Sequence, residues 1–150
     1  VSPSLIVLDE PTSALDITLA VQILELLKDF KKSFNLSYIL ISHSLPVVLY
    51  LSDWIVVMYL GRIVEICKKD VFSKVKHHPY TLMLLDAHPD PFSPKRFFSK
   101  KVKGEIASPL YRPNGCEFHP RCEEREKACS ENIPQLRKIN DFQYIACFKR

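Results

Sequence analysis

Glycine is scarce: the 150 residues hold only three, Gly61, Gly104 and Gly115. A loop that cradles phosphate needs closely spaced glycines so that successive backbone N–H groups can converge on the oxygens, as in G-x-x-x-x-G-K-[ST]. None of the three stands in such spacing, which excludes a phosphate-cradling loop from this sequence. Long apolar runs are missing as well. The longest, such as Leu5 to Leu8 and Trp54 to Leu60, fall far short of the roughly 20 residues that cross a bilayer as a helix. No charged-then-apolar leader opens the sequence, and neither a spanning nor a secretory segment is expected. Internal repeats and low-complexity tracts are absent too. Nor is charge of one sign gathered into a stripe. The net +4 divides unevenly, residues 1–94 carrying 8 Lys/Arg against 10 Asp/Glu and residues 95–150 carrying 13 against 7. Signs alternate through Glu123, Glu124, Arg125, Glu126 and Lys127, so the basic tail reads as a solvated surface and no nucleic-acid partner is expected.

What is present is an apolar content of 47% beside 25% charged residues, the balance of a globular chain. The text opens on Val1, just ahead of an apolar run, and is read as an excerpt of a longer chain. Leu5-Ile6-Val7-Leu8 running into Asp9-Glu10-Pro11 suits a strand buried on both faces, as central parallel strands are. Pro11 is expected to hold Glu10 extended and to stop the strand. Asp16 then caps a helix over about Ile17 to Phe34, with Ala20, Ile23, Leu24, Leu27 and Phe30 on one face. A second apolar run, Tyr38 to Ile41, ends at Ser42-His43. Strand, helix, strand at this spacing is a βαβ unit with parallel strands, which brings Glu10 and His43 to the same carboxyl edge, where open α/β sheets bind ligands.

Farther on, a short helix over Val47 to Leu51, a strand over Trp54 to Tyr59, a turn at Leu60-Gly61 and a strand over Arg62 to Ile66 are expected, the two strands pairing as an edge hairpin. Pro79 suits the first turn of a helix running to about Ala87, and Pro89, Pro91, Pro94, Pro109 and Pro113 mark an irregular linker. Four cysteines cluster at Cys116, Cys122, Cys129 and Cys147, spaced C-x5-C-x6-C-x17-C. Four thiolates satisfy a 4Fe-4S cluster or tetrahedral Zn²⁺, and either would organise a small polar segment; reduced or disulfide-paired cysteines are the third possibility. The spacing lacks the C-x2-C pairs of common zinc ribbons, which favours iron-sulfur. Cys67 has no partner in this pattern and is expected to pack as a small apolar group.

Residues 8–16, Leu-Asp-Glu-Pro-Thr-Ser-Ala-Leu-Asp, resemble the segment of ABC transporter ATPases in which the Walker B strand runs into the D-loop, and Ser42-His43 resembles the H-loop. Ser44 stands where Asp usually follows that histidine, and Trp54 where Arg is common. The resemblance implies that Asp9 holds Mg²⁺ at the phosphates of ATP, that Glu10 orients or polarises the attacking water, and that His43 bonds the γ-phosphate. It also implies that Ser13, Ala14, Leu15 and Asp16 reach a partner subunit's nucleotide. The Walker A loop, the Q-loop and the Gly-rich signature of that family are not among these residues.

His78-Pro79-Tyr80-Thr81-Leu82-Met83-Leu84-Leu85, with Ala87 and Pro89, and then Gly115 to Cys122, narrow the resemblance to ATPases of oligopeptide, dipeptide and nickel importers. The fold class expected is therefore α/β, a partial P-loop NTPase domain with a parallel sheet and flanking helices, followed by an irregular C-terminal metal-cluster extension. Its divisions are residues 1–67, the ATPase part; 68–94, the importer-type helical extension; 95–112, a linker; and 113–150, the cysteine-rich tail. Family likeness implies ATP, Mg²⁺ and a 4Fe-4S cluster, a second ATPase subunit, two transmembrane permeases and a periplasmic or lipoprotein substrate-binding protein, at the cytoplasmic face of a prokaryotic membrane. A non-enzymatic, metal-cluster-binding remnant of a split transporter gene is the alternative.

Overall fold

The computed structural model describes residues 3–87, 108 and 110–150. The linker expected over 95–112 and the motif's Pro89 fall largely outside the described residues. Two compact units divide between Asp53 and Trp54.

In the first unit, β1 (Leu5–Asp9) leads to helix α1 (Ile17–Ser33), strand β2 (Ser37–Ile41) and helix α2 (Leu45–Leu51). The strands pair in parallel, Leu5 opposite Ser37 and Asp9 opposite Ile41, as the βαβ reading expects. Helix α1 begins where Asp16 Oδ1 accepts the Leu19 N–H at 3.0 Å, satisfying one of the orphan donors of a helix start. It ends at Asn35, whose φ of 50° is the left-handed exit that asparagine tolerates. Its inner face buries Leu24, and the Tyr38 hydroxyl donates to the Leu27 carbonyl at 3.0 Å, tying the helix to β2. The strands are not buried on both faces. Leu5, Val7, Ile39 and Ile41 are each at least 49% exposed, because a two-stranded sheet with helix α1 against one side leaves the other side open.

The second unit is built on an antiparallel sheet of order β3-β4-β6-β5, from β3 (Trp54–Tyr59), β4 (Arg62–Lys68), β5 (Arg137–Asn140) and β6 (Gln143–Ile145). The β3–β4 hairpin turns on Leu60 and Gly61, with φ of 46° and 78°, the two positive values that a tight two-residue hairpin loop requires. Of the hairpin's two strands β3 lies at a sheet edge and β4 does not. Strand β6 pairs along β4, Glu65 opposite Ile145 and Cys67 opposite Gln143, so the cysteine-rich tail is not wholly irregular but lends two strands to the hairpin's sheet. A 3-10 turn over Lys69–Lys74, helix α3 (Pro79–Ala87) and the short helix α4 (Lys127–Glu131) complete the unit. Its apolar core joins Ile55, Val57, Val64, Cys67, Phe72, Phe118 and Ile145. Phe118 meets Tyr59 and Tyr80 at ring-centroid distances of 5.3 and 5.5 Å.

One buried acid organises this unit. Glu65, on β4, is 0% exposed. Its Oε1 lies 2.8 Å from His77 Nδ1 and accepts from Gln143 Nε2 at 2.8 Å. Its Oε2 accepts the His78 backbone N–H at 2.9 Å and the Thr81 hydroxyl at 2.7 Å. Burial pushes the Glu65 carboxyl up, but the bonds and charge of His77 with those of Thr81 and His78 outweigh it, and the acid is held below its ordinary range. His78, also buried, is pushed down to about 4 by desolvation, and its Nδ1 accepts the Tyr80 N–H at 3.0 Å. Replacing Glu65 with Ala strands four buried polar groups, so Glu65→Ala is expected to destabilise the second unit by about 3–5 kcal/mol. Urea unfolding followed by tyrosine fluorescence checks this; an unchanged midpoint would refute it.

Candidate functional site

The carboxyl ends of β1 and β2 bring Asp9, Glu10, Ser42 and His43 together. Glu10 N–H still donates to the Ile41 carbonyl at 2.9 Å, so the ladder continues one step past β1. The backbone then turns sharply. Glu10 is not extended: its φ is 45°, a left-handed value that costs a non-glycine residue on the order of 1 kcal/mol. The turn aims the Glu10 carbonyl at Ser13, whose N–H and Oγ both donate to it, at 3.3 and 3.1 Å.

The Glu10 side chain meets the end of the neighbouring strand. Oε1 accepts the His43 N–H at 3.0 Å and lies 2.8 Å from His43 Nδ1, while Ser42 Oγ reaches Oε2 at 3.5 Å. The His43 side-chain bond, with its backbone bond and charge, holds the Glu10 carboxyl below the usual carboxylate range against a smaller opposing effect of desolvation. An ionised carboxylate fixed by two bonds at a sheet edge, with an imidazole 78% exposed beside it, has the equipment to accept a proton from water and to donate to an anion.

Among the remaining expected site residues, Asp9 is exposed at the end of β1, a hard oxygen donor of the kind Mg²⁺ takes. Ser13 and Ala14 are exposed and Leu15 is half-buried. Ser13 Oγ is engaged by its own chain at Glu10, and Asp16 serves as the helix cap.

In the second unit, Cys129 is buried and Cys116, Cys122 and Cys147 are half-buried; none of the five cysteines is disulfide-bonded. Among the described residues, no group of three or more His, Cys, Asp or Glu side chains stands in a metal-holding arrangement. The expected metal-cluster extension is therefore not formed as such. Like charge on neighbouring thiols adds to the rise at three of them: Cys116 feels Cys129 and Cys147, Cys122 feels Cys147 and Cys116, and Cys147 feels Cys129. The backbone near Phe118, Glu124 and Lys149 favours the thiolate at Cys116, Cys122 and Cys147, an effect smaller than burial. Burial still pushes these thiols up, Cys122 to about 11.

Gly115 makes the loop possible. Its φ is 71°, and a Cβ there would lie 2.4 Å from the Cys129 carbonyl oxygen, the same oxygen that accepts the Cys116 N–H at 2.8 Å. His119 faces inward, its Nδ1 2.9 Å from the Cys116 carbonyl. Cys67 is completely buried, and desolvation with the Glu65 charge pushes its thiol up to about 11.

Sequence reasoning passed over Glu65 and Glu117. Glu117, 7% exposed, takes Arg62 Nε at 3.0 Å and Arg112 Nη1 at 3.2 Å on one oxygen. The signal for Glu65 was a lone acid inside the apolar strand Ile63-Val64-Glu65-Ile66-Cys67, followed by paired histidines.

Residues 64–129 match the family model described as "Oligopeptide/dipeptide transporter, C-terminal region". Over 97% of its length the chain is 42% identical to the di/tripeptide transport ATP-binding protein DppF of Pseudomonas aeruginosa, of which it covers 45%. It is likewise 42% identical to the dipeptide transport ATP-binding protein DppF of Haemophilus influenzae and 39% identical to the oligopeptide transport ATP-binding protein AppF of Bacillus subtilis, again over 97% of the chain and 45% of each relative. Residues 64–129 thus resemble the C-terminal region of oligopeptide/dipeptide transporters, and the chain as a whole is similar to ATP-binding proteins of peptide transport; it spans less than half the length of the curated relatives it matches.

Removing the imidazole tests the electrostatics of the edge. In His43→Ala the Glu10 carboxyl loses its main stabilising bond and its pKa is expected to rise toward the ordinary glutamate value. Carbon-detected NMR titration of labelled glutamates reads the shift; an unmoved Glu10 resonance would show that the bond does not control its ionisation.

Proposed function

We propose that these residues supply the water-activating half of a nucleotide site in the ATP-hydrolysing subunit of an oligopeptide or dipeptide importer. The observation that carries the reading is the bond between Glu10 and His43 across the ends of two parallel strands, in a chain whose relatives are named for peptide transport and ATP binding. Glu10, kept ionised by His43, accepts the proton of a water aimed at the terminal phosphate. His43, exposed at its far nitrogen side, donates to the phosphate oxygens. Asp9 holds Mg²⁺, which when bound offsets the charge on the phosphates. Ser13, Ala14, Leu15 and Asp16 face a second ATPase subunit, and the importer's two permeases and substrate-binding protein complete the assembly at the cytoplasmic face of the membrane.

Because the phosphate cradle is not among these residues, the 150-residue chain alone is expected to hydrolyse no ATP. In the complete subunit, assembled with its permeases, Glu10→Gln should lower ATP turnover at least about 100-fold while leaving nucleotide binding intact, as expected when a positioned general base is lost. Turnover within a factor of about three of wild type would remove Glu10 from the chemistry.

We further propose that Cys116, Cys122, Cys129 and Cys147 hold a 4Fe-4S cluster as a structural staple, with tetrahedral Zn²⁺ as the competing occupant. The spacing C-x5-C-x6-C-x17-C supports it. Anaerobically prepared protein is expected to be brown, to absorb in the blue and to contain iron and acid-labile sulfide. Colourless protein with one equivalent of zinc overturns the cluster in favour of zinc, and protein with neither metal overturns the site.

A further inference from the structure

Ser13 lies three residues past Glu10, in the turn between β1 and helix α1. It is exposed, yet both of its polar hydrogens point back into its own chain: the hydroxyl donates to the Glu10 carbonyl at 3.1 Å and the backbone N–H donates to the same oxygen at 3.3 Å. The two bonds close a four-residue turn, Glu10 to Ser13, with Pro11 at the position for which its fixed φ is preset. A second turn follows, the Leu15 N–H donating to the Thr12 carbonyl at 3.2 Å, before Asp16 caps helix α1. Closing the first turn has a cost at Glu10. A residue ahead of proline is pushed toward extended backbone, and Glu10 stands instead at φ 45°, a left-handed value that persists only where neighbours enforce it. On the amino side, the Glu10 N–H is fixed to the Ile41 carbonyl at 2.9 Å. On the carboxyl side, Ser13 holds the carbonyl, and its hydroxyl makes the shorter of the two bonds, the backbone bond lying past the usual range for N–H···O. Released from this turn, Glu10 would return toward extended backbone, and its carboxylate would leave the His43 N–H and ring that it meets at 3.0 and 2.8 Å.

We propose that Ser13 is a positioning residue for ATP hydrolysis, its hydroxyl locking the left-handed turn that holds the Glu10 carboxylate against His43. The proposal rests on the reading of Glu10 as the group that accepts a proton from the attacking water, and it adds to that reading a task for the Ser13 hydroxyl within its own chain. A serine carries one O–H hydrogen, so while that hydrogen is given to the Glu10 carbonyl it is not given to a phosphate. The gain lies in placement. A base must stand within hydrogen-bond reach of the proton it takes, and a displacement of about 1 Å is enough to forfeit much of the rate. Ser13 acts on that distance through the backbone of Glu10, touching neither the water nor the nucleotide.

Steady-state ATP turnover by the complete subunit, assembled with its permeases, tests the role. Ser13→Ala is expected to lower kcat about 10-fold and to leave the KM for ATP within about twofold, the split that marks an interaction realised in the transition state. Ser13→Thr, which keeps the hydroxyl, should return kcat to within about threefold of wild type. In a Glu10→Gln background, Ser13→Ala should cost less than about a further twofold, because the group it positions is already gone. A readout independent of turnover is the Glu10 Cα resonance of the 150-residue chain, which in Ser13→Ala should move toward the value of extended backbone and in Ser13→Thr should not. A Ser13→Ala kcat within about twofold of wild type, a loss expressed as a raised KM, or a further loss of about 10-fold on top of Glu10→Gln overturns the positioning role while leaving Glu10 as the base. A Glu10→Gln subunit that keeps its turnover removes the base, and the proposal with it. If Ser13→Ala does not assemble with the permeases, the resonance decides: an unmoved Glu10 Cα overturns the lock.

Discussion

A carboxylate with no exposure to water must find its hydrogen bonds inside the protein, and in the second unit Glu65 finds them on two stretches of chain remote from its own strand. An ionised carboxylate left bare in such a place would cost several kcal/mol. That obligation explains the order of the unit. His77, the His78 amide and Thr81 arrive from the start of helix α3, and Gln143 arrives from β6, 78 residues along the chain. Strand β4 thus cannot reach its buried state until both the helical extension and the tail have docked. Pro79 begins helix α3 directly after the paired histidines, so the helix's first turn presents the His78 amide and the Thr81 hydroxyl to the same carboxylate oxygen. The histidine pair and the proline that identify the importer-type extension are in this way the donor side of a buried ion network.

A comparable economy governs the sheet edge of the first unit. The left-handed turn at Glu10 carries a local cost and brings two compensations: the carbonyl is satisfied twice by Ser13, and the side chain swings onto the end of β2. Had Glu10 stayed extended, its carboxylate would follow the alternation of β1 toward a face of the sheet. Turned, it lies in line with the neighbouring strand's exit, where His43 offers both its backbone N–H and its ring. The strain is local, and the carboxylate it positions is the one proposed to act on water.

How much of this was legible depends on the range of the interaction that decides each feature. The Asp16 cap, helix α1, the parallel strand pair and the Leu60-Gly61 turn rest on contacts within a few residues or on one crossover, and the sequence pattern carried them. The juxtaposition of Glu10 with His43 followed from parallel topology alone. The open face of β1 and β2 did not, because an apolar run shows that a strand is suited to burial, not what buries it. Glu65 escaped notice since an acid in a short strand ordinarily marks the solvent face, and its partners at His77 and Gln143 are remote. The strands β5 and β6 hid within a tail judged by its cysteines, although Gln143-Tyr144-Ile145 and the Asp141 turn before it have the look of a short hairpin arm.

The tail illustrates why a staple is the more economical reading of four gathered thiols than an electron relay. Its loop is held by backbone geometry first: Gly115 permits a turn that no Cβ could share with the Cys129 carbonyl, and the Cys116 N–H donates to that carbonyl at 2.8 Å. Burial raises the thiols of Cys116, Cys122 and Cys147. The proposed metal would reverse that balance, turning a cost of burial into bonds that close the loop from Cys116 to Cys147. Those bonds would act on Phe118, two residues from Cys116, whose ring is wedged among Tyr59, Tyr80 and His78. Tightening the thiol loop would therefore tighten the aromatic cluster beside helix α3, so the consequence of the proposed metal would be mechanical and local to this unit.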